Sequence, residues 1–149
     1  MTNCLCMSEA AEIKIIIFDS ECGLCNKTVQ LIIKYDPNKL FKFTSLQSNY
    51  GKLLLHKMGE STANWNSIIL VEGDKYFIKS AAVINILREL HGYSVLYHII
   101  KLFPRIFLDS LYTLIAKTRY KLFGKTDHCE IYQKKEFTER IITESSEME

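Results

Sequence analysis

One apolar run constrains this chain more than any other segment. Residues 13–18 read Ile-Lys-Ile-Ile-Ile-Phe, broken only by Lys14, which is the pattern of a strand buried on both faces. Such a strand sits inside a sheet that carries helices above and below it. The adjoining stretch is equally specific. After the loop from Asp19 to Gly23, the apolar positions Cys25, Val29, Ile32 and Ile33 recur at helical spacing until Asp36-Pro37-Asn38 stops them. Strand, cysteine loop and helix therefore succeed one another within about 25 residues.

The remaining elements extend this start. Phe41 and Phe43 alternate with Lys42 and Thr44 as a short strand, and Leu46, Tyr50, Leu53 and Leu54 mark a second helix that Gly59 closes. Ser67 to Val71 and Tyr76 to Ile78 form a hairpin across Glu72-Gly73-Asp74-Lys75. Ser80 is the expected N-cap of a helix carrying Val83, Ile86, Leu87 and Leu90, closed by Gly92. The order β-α-β-α-β-β-α predicts an α/β fold of thioredoxin-like type, a mixed four-stranded sheet whose first half is parallel and whose second half is antiparallel. Tyr93 to Lys101 and Pro104 to Tyr120 add two helices, a C-terminal helical appendage over about 93–123. The second is opened by Pro104 and lined by Ile106, Leu108, Leu111, Tyr112 and Ile115. Their apolar faces are expected to cover the sheet domain.

The 149 residues suit one domain. Residues 13–129 are expected to form it, with an N-terminal tail over 1–12 and a polar, partly disordered tail over 130–149 in which IITESSEME frays. A formal charge of +2 is too small to imply a nucleic-acid partner. The first ten residues lack a basic n-region and a long apolar h-region. The stretch from Tyr93 to Ala116 is interrupted by Lys101, Pro104, Arg105 and Asp109, so no clean membrane span is expected. Five cysteines at irregular spacing and no secretion signal point to cytoplasmic thiols, among which a close pair is catalytic or metal-binding rather than structural.

Cys22 and Cys25 are that pair. At a helix N-terminus the open N–H groups and the dipole stabilise an anion, so Cys22 is expected to be the attacking thiolate. Cys25, one turn later, is the resolving thiol. A two-residue spacer keeps the sulfurs within bonding reach and the disulfide reducible. Half a zinc site is the competing reading, but a zinc site needs four ligands and no second CxxC or HxxxH exists. No metal and no cofactor are expected.

The segment FDSECGLC resembles the D-x-x-C-x-x-C signature of the DCC family of predicted thiol-disulfide oxidoreductases, found widely in bacteria. FKFTSLQS, KSAAVINIL, FPRIFLDSLYTLIAKTRYKLFG and Cys129 follow the order of that family, so the resemblance runs from about Ile15 to Cys129. It implies a thioredoxin-like fold and a redox role on a protein or small-molecule thiol or disulfide. Thioredoxins carry a cis-proline before their third strand that helps dock substrate backbone. Here that position falls near Asn66 and Ser67, so that substrate mode does not carry over.

Other residues are weighed against plainer roles. Asp19 is a candidate proton acceptor for Cys25, or a loop cap. Arg119 and Tyr120 are candidates to line the cysteine face, against the plainer and preferred reading of an exposed cation and a core aromatic. Cys129 with His128 is a candidate third thiol or metal ligand, against the preferred reading of an inert lone thiol, and Cys4 and Cys6 are read as tail residues. Two other function classes stand beside the redox one. IIIFDSE resembles the first motif of haloacid-dehalogenase phosphatases, with Glu21 where that motif wants a second Asp. Alternatively, the apolar helices after Gly92, with Lys101, Arg105, Lys117, Arg119, Lys121 and Lys125 among them, make a non-catalytic module that binds a protein partner or rests weakly on an anionic membrane.

Overall fold

The computed structural model describes residues 13–59, 67–124 and 139–142. Within them the chain runs β1 (Lys14–Phe18), α1 (Gly23–Lys34), β2 (Phe41–Ser45), α2 (Asn49–Lys57), β3 (Ile69–Glu72), β4 (Lys75–Ile78), α3 (Lys79–Glu89), α4 (Ser94–Lys101) and α5 (Arg105–Phe123). The sheet order is β2-β1-β3-β4, with β1 and β2 parallel and β3 antiparallel to both of its neighbours. This is the α/β, thioredoxin-like arrangement that the element order predicted.

The apolar run explains why β1 is central. Alternate residues of a strand point to opposite faces. Ile16 and Phe18 accordingly pack with Val29, Ile32 and Ile33 of α1 and with Ala82, Ile86 and Leu87 of α3. Ile15 and Ile17 pack on the other face with Leu54 and Leu55 of α2. Each such buried side chain contributes roughly 1.5–3 kcal/mol, so a polar substitution anywhere from Ile15 to Phe18 would strike a core on one face or the other.

Two glycines are required by position. Gly73, with φ of +58°, makes the two-residue turn that joins β3 to β4. Gly51 lies where α2 presses on the end of β2, and a Cβ there would meet the Ser45 carbonyl oxygen at 2.1 Å. The Ser48 side chain caps α2 by accepting the Gly51 N–H at 2.9 Å.

Three expectations need correction. Ser80 does not cap α3, which begins at Lys79 with Ile78 in the N-cap position; its hydroxyl instead donates to the Asp109 carboxylate of α5. Within the polar tail Arg140, Ile141 and Ile142 are buried, against the expectation that IITESSEME frays from its first residue. The Arg140 carbonyl accepts the Phe43 N–H at 2.9 Å, and the Ile142 N–H donates to the Phe43 carbonyl at 2.8 Å, so this segment extends the edge of the sheet beside β2. Finally, α4 and α5 bury only part of their apolar surface. Tyr97, Ile100 and Tyr112 pack on the core, but Ile106 is 83 % exposed and Leu111 and Ile115 are also exposed. No described helix is long and apolar enough to cross a membrane.

Candidate active site

The loop between β1 and α1 is set by Asp19. Its Oδ1 accepts the Glu21 N–H at 3.0 Å and its carbonyl accepts the Cys22 N–H at 3.3 Å, a side-chain turn that folds the chain back on itself. Cys22 thereby becomes the N-cap of α1 and presents its sulfur at the positive end of the helix. Cys25 follows within the first turn, and both are free thiols. The residue that ends α5 closes over this end, where the Gly124 carbonyl accepts the Gly23 N–H at 3.5 Å. Cys22 is fully buried and Cys25 half-buried.

Helix α5 supplies what the loop lacks. The Arg119 guanidinium is 3 % exposed. It donates from Nη1 to Cys25 Sγ at 3.4 Å and from Nη2 to Asp19 Oδ2 at 3.1 Å, and its Nε has no hydrogen-bond partner among the described residues. The Tyr120 hydroxyl also donates to Asp19 Oδ2, and Gln47 Nε2 donates to Oδ1 at 2.8 Å. Asp19 thus accepts from four donors: the Glu21 N–H, Gln47, Arg119 and Tyr120. A carboxylate so engaged holds its partners in place.

Charge follows the same geometry. Burial pushes the Cys25 thiol from 9.0 up to about 12, with the charge and hydrogen bond of Cys22 adding to the rise, Arg119 opposing it and Asp19 reinforcing it. For Arg119, burial works against the cation, but Cys25, Cys22, Tyr120 and Asp19 outweigh it and hold the guanidinium above its ordinary value. Burial, followed by the hydrogen bond to Asp19, pushes the Tyr120 hydroxyl up to about 12, so it stays a donor at neutral pH.

Beside Cys25 lies a cavity of about 110 Å³ lined mostly by apolar side chains, among them Leu24, Val83, Tyr112 and Ile115, with Arg119 in its wall. The Tyr112 hydroxyl accepts the Ile68 N–H at 2.8 Å. This backbone donor, just before β3, is therefore engaged by α5.

The family model for the DCC1-like thiol-disulfide oxidoreductases matches residues 16–125. The chain belongs to that family. YuxK of Bacillus subtilis, an uncharacterized protein, is 42 % identical over 122 residues, covering 82 % of this chain and 89 % of its own. A chloroplastic DCC family protein of Arabidopsis thaliana is 36 % identical over 118 residues, covering 78 % of this chain and 69 % of its own. No solved structure gives a significant match.

In this DCC1-like chain the sequence-predicted Asp19, Cys22 and Cys25 come together, and membership of the family displaces the phosphatase reading of IIIFDSE. Arg119 and Tyr120 are a correction. Instead of an exposed cation and a core aromatic, Arg119 is buried between Cys25 and Asp19, and Tyr120 is exposed with its hydroxyl on Asp19. Gln47 was not singled out by sequence reasoning, although it lies in a segment that carries the family resemblance. Cys4, Cys6, Asn66, Lys125, His128 and Cys129 lie outside the described residues.

Proposed function

We propose that Cys22 and Cys25 exchange two electrons with a disulfide substrate through a mixed disulfide, and that Arg119 is the residue that lets the second step proceed. Cys22 as thiolate attacks one substrate sulfur; a Cys22–substrate disulfide forms and the other substrate sulfur leaves as a thiolate. Cys25 then loses its proton to solvent base and attacks the Cys22 sulfur. The remaining substrate thiolate departs, and the Cys22–Cys25 disulfide is left oxidised. An external thiol reductant resets the pair. Where an oxidant keeps the pair as a disulfide, the same steps run in reverse, so that a substrate dithiol is oxidised and the pair is reduced.

The observation that carries this reading is the buried Arg119 guanidinium between Cys25 Sγ and the Asp19 carboxylate. Cys25 must become a thiolate in a place where burial pushes its pKa to about 12, and Arg119 is the cation that opposes the rise. Asp19 and Tyr120 are positioning residues, which anchor that cation so that one N–H stays aimed at the sulfur. Asp19 therefore acts through Arg119 rather than as the proton acceptor of Cys25. The N-cap position of Cys22 supports its role as nucleophile. Its burial requires the groups that cover it to move aside for substrate. Because Tyr112 already engages the Ile68 N–H, a substrate peptide strand finds no backbone donor there. The odd number of cysteines supports a reducing compartment, the cytoplasm.

Mass spectrometry of the intact chain tests the reading. Treatment with oxidised glutathione should give a Cys22–Cys25 disulfide that dithiothreitol reverses, and Cys25→Ser should trap one glutathione on Cys22. Trapping on Cys25 in the Cys22→Ser chain but none on Cys22 in the Cys25→Ser chain would reverse the roles. No internal disulfide under any oxidant would end the proposal.

A further inference from the structure

The helical hairpin of α4 and α5 carries most of the exposed apolar surface. Twelve of the sixteen exposed large hydrophobic residues among those described fall between Val95 and Leu122. Leu102 and Ile106 are 84 % and 83 % exposed at its tip, and Phe103 and Phe107 stack there with ring centroids 5.8 Å apart. Val95, Ile99 and Leu102 share one face of α4, and Phe107, Leu111, Leu114 and Leu122 share one face of α5, at the spacing of helical stripes. A soluble monomer rarely leaves an apolar patch of this extent to water.

The charges around this face have one sign. Lys101, Arg105, Lys117 and Lys121 are all exposed. Arg119 is turned inward to the cysteines, and Asp109, the one carboxylate between Ser94 and Phe123, accepts from Ser80. Lys117 and Lys121, four residues apart, border the apolar stripe of α5. Two copies meeting face to face would oppose lysines to lysines across an apolar seam without a carboxylate to match them. An anionic surface with an apolar interior is complementary on both counts.

We propose that the α4–α5 hairpin docks the protein on the surface of a membrane rich in anionic lipid. The tip residues Leu102, Phe103, Ile106 and Phe107 enter the interface, and the flanking cations meet the headgroups. No spanning segment is involved. The inference is independent of the redox reading, since it needs only that Arg119 is turned inward and not what Arg119 does for Cys25. It has a consequence for that reading, because the docked helix α5 also holds Arg119 over Cys25.

Sedimentation of the full chain with vesicles tests it. The protein should pellet with vesicles of phosphatidylcholine and phosphatidylglycerol, far less with phosphatidylcholine alone, and less at high salt than at low salt. Leu102→Glu with Ile106→Glu should lower the partitioning at least about tenfold. Its thermal unfolding should match the parent chain, because both side chains face water. Failure to pellet with anionic vesicles, or pelleting undiminished in the double variant, would overturn the proposal. So would a dimer, seen by analytical ultracentrifugation without lipid, that the same substitutions dissociate, since the face would then belong to a second copy.

Discussion

Two buried arginine–aspartate pairs lie among the described residues, and they differ in what the arginine does with its remaining donors. Arg140 is 6 % exposed and bonds Asp36. Its Nε and Nη2 reach the Phe41 carbonyl at 3.2 and 2.9 Å, and its Nη1 reaches the Ile33 carbonyl at 3.4 Å. Asp36 in turn accepts the Leu40 and Phe41 N–H groups. Every partner is a fixed backbone or carboxylate group. Arg119 is as deeply buried and bonds Asp19, yet among the described residues its Nε has no partner, and its Nη1 points at a sulfur. A buried ion pair is by itself weak evidence of stability. The Arg140 pair clamps the end of α1 and the start of β2 to the returning chain. The Arg119 pair faces a group that would change charge during exchange, and an incompletely matched cation is what such a step needs.

The largest effect expected from breaking this comparison is at Arg140. Arg140→Met leaves Asp36 charged and buried and should destabilise the fold by about 3–5 kcal/mol, read by chemical denaturation. The mixed-disulfide kinetics of the folded fraction should not change. A variant that folds as firmly as the parent would show that the clamp is decorative.

The next effect belongs to Arg119. Arg119→Met should slow resolution of a Cys22 mixed disulfide by roughly 10- to 100-fold, the equivalent of one hydrogen bond to a charged group. Acid-quenched intermediates, counted by mass, should then accumulate. Asp19→Asn should move the rate in the same direction by less, since the cation remains but is loosely held. An Arg119 variant that loses stability as Arg140→Met does, while resolving at the parent rate, would make the two pairs alike and remove the redox assignment of Arg119.

The fold was legible because its signals are local. The apolar run of β1, the Gly73-Asp74 turn and the helical spacing of α1 and α3 each lie within a dozen residues, and all appear where the pattern put them. The cysteine pair was legible for the same reason. Arg119 was not, because its partners Asp19 and Cys25 are about a hundred positions away in sequence. Nothing in TRYKLF tells a buried arginine from a solvated one. Periodicity misled at α5 for a related reason: Leu111 and Ile115 recur as core residues do, although the spacing carries no information about which surface they meet. Ile141 and Ile142 sat in a polar tail with no period to read, and only the edge of β2 gives them a partner.

The central claim, that Arg119 offsets what burial does to Cys25, is tested most directly by titrating the Cys25 thiolate through its ultraviolet absorbance in a Cys22→Ser chain. Without Cys22 neither its charge nor its hydrogen bond raises the pKa, so Cys25 should titrate below about 12 but, through burial, still above its ordinary 9.0. Adding Arg119→Met should push it upward by about one unit or more, as expected when an opposite charge within hydrogen-bonding distance is lost. A titration that stays where it was, or moves down, would contradict the account.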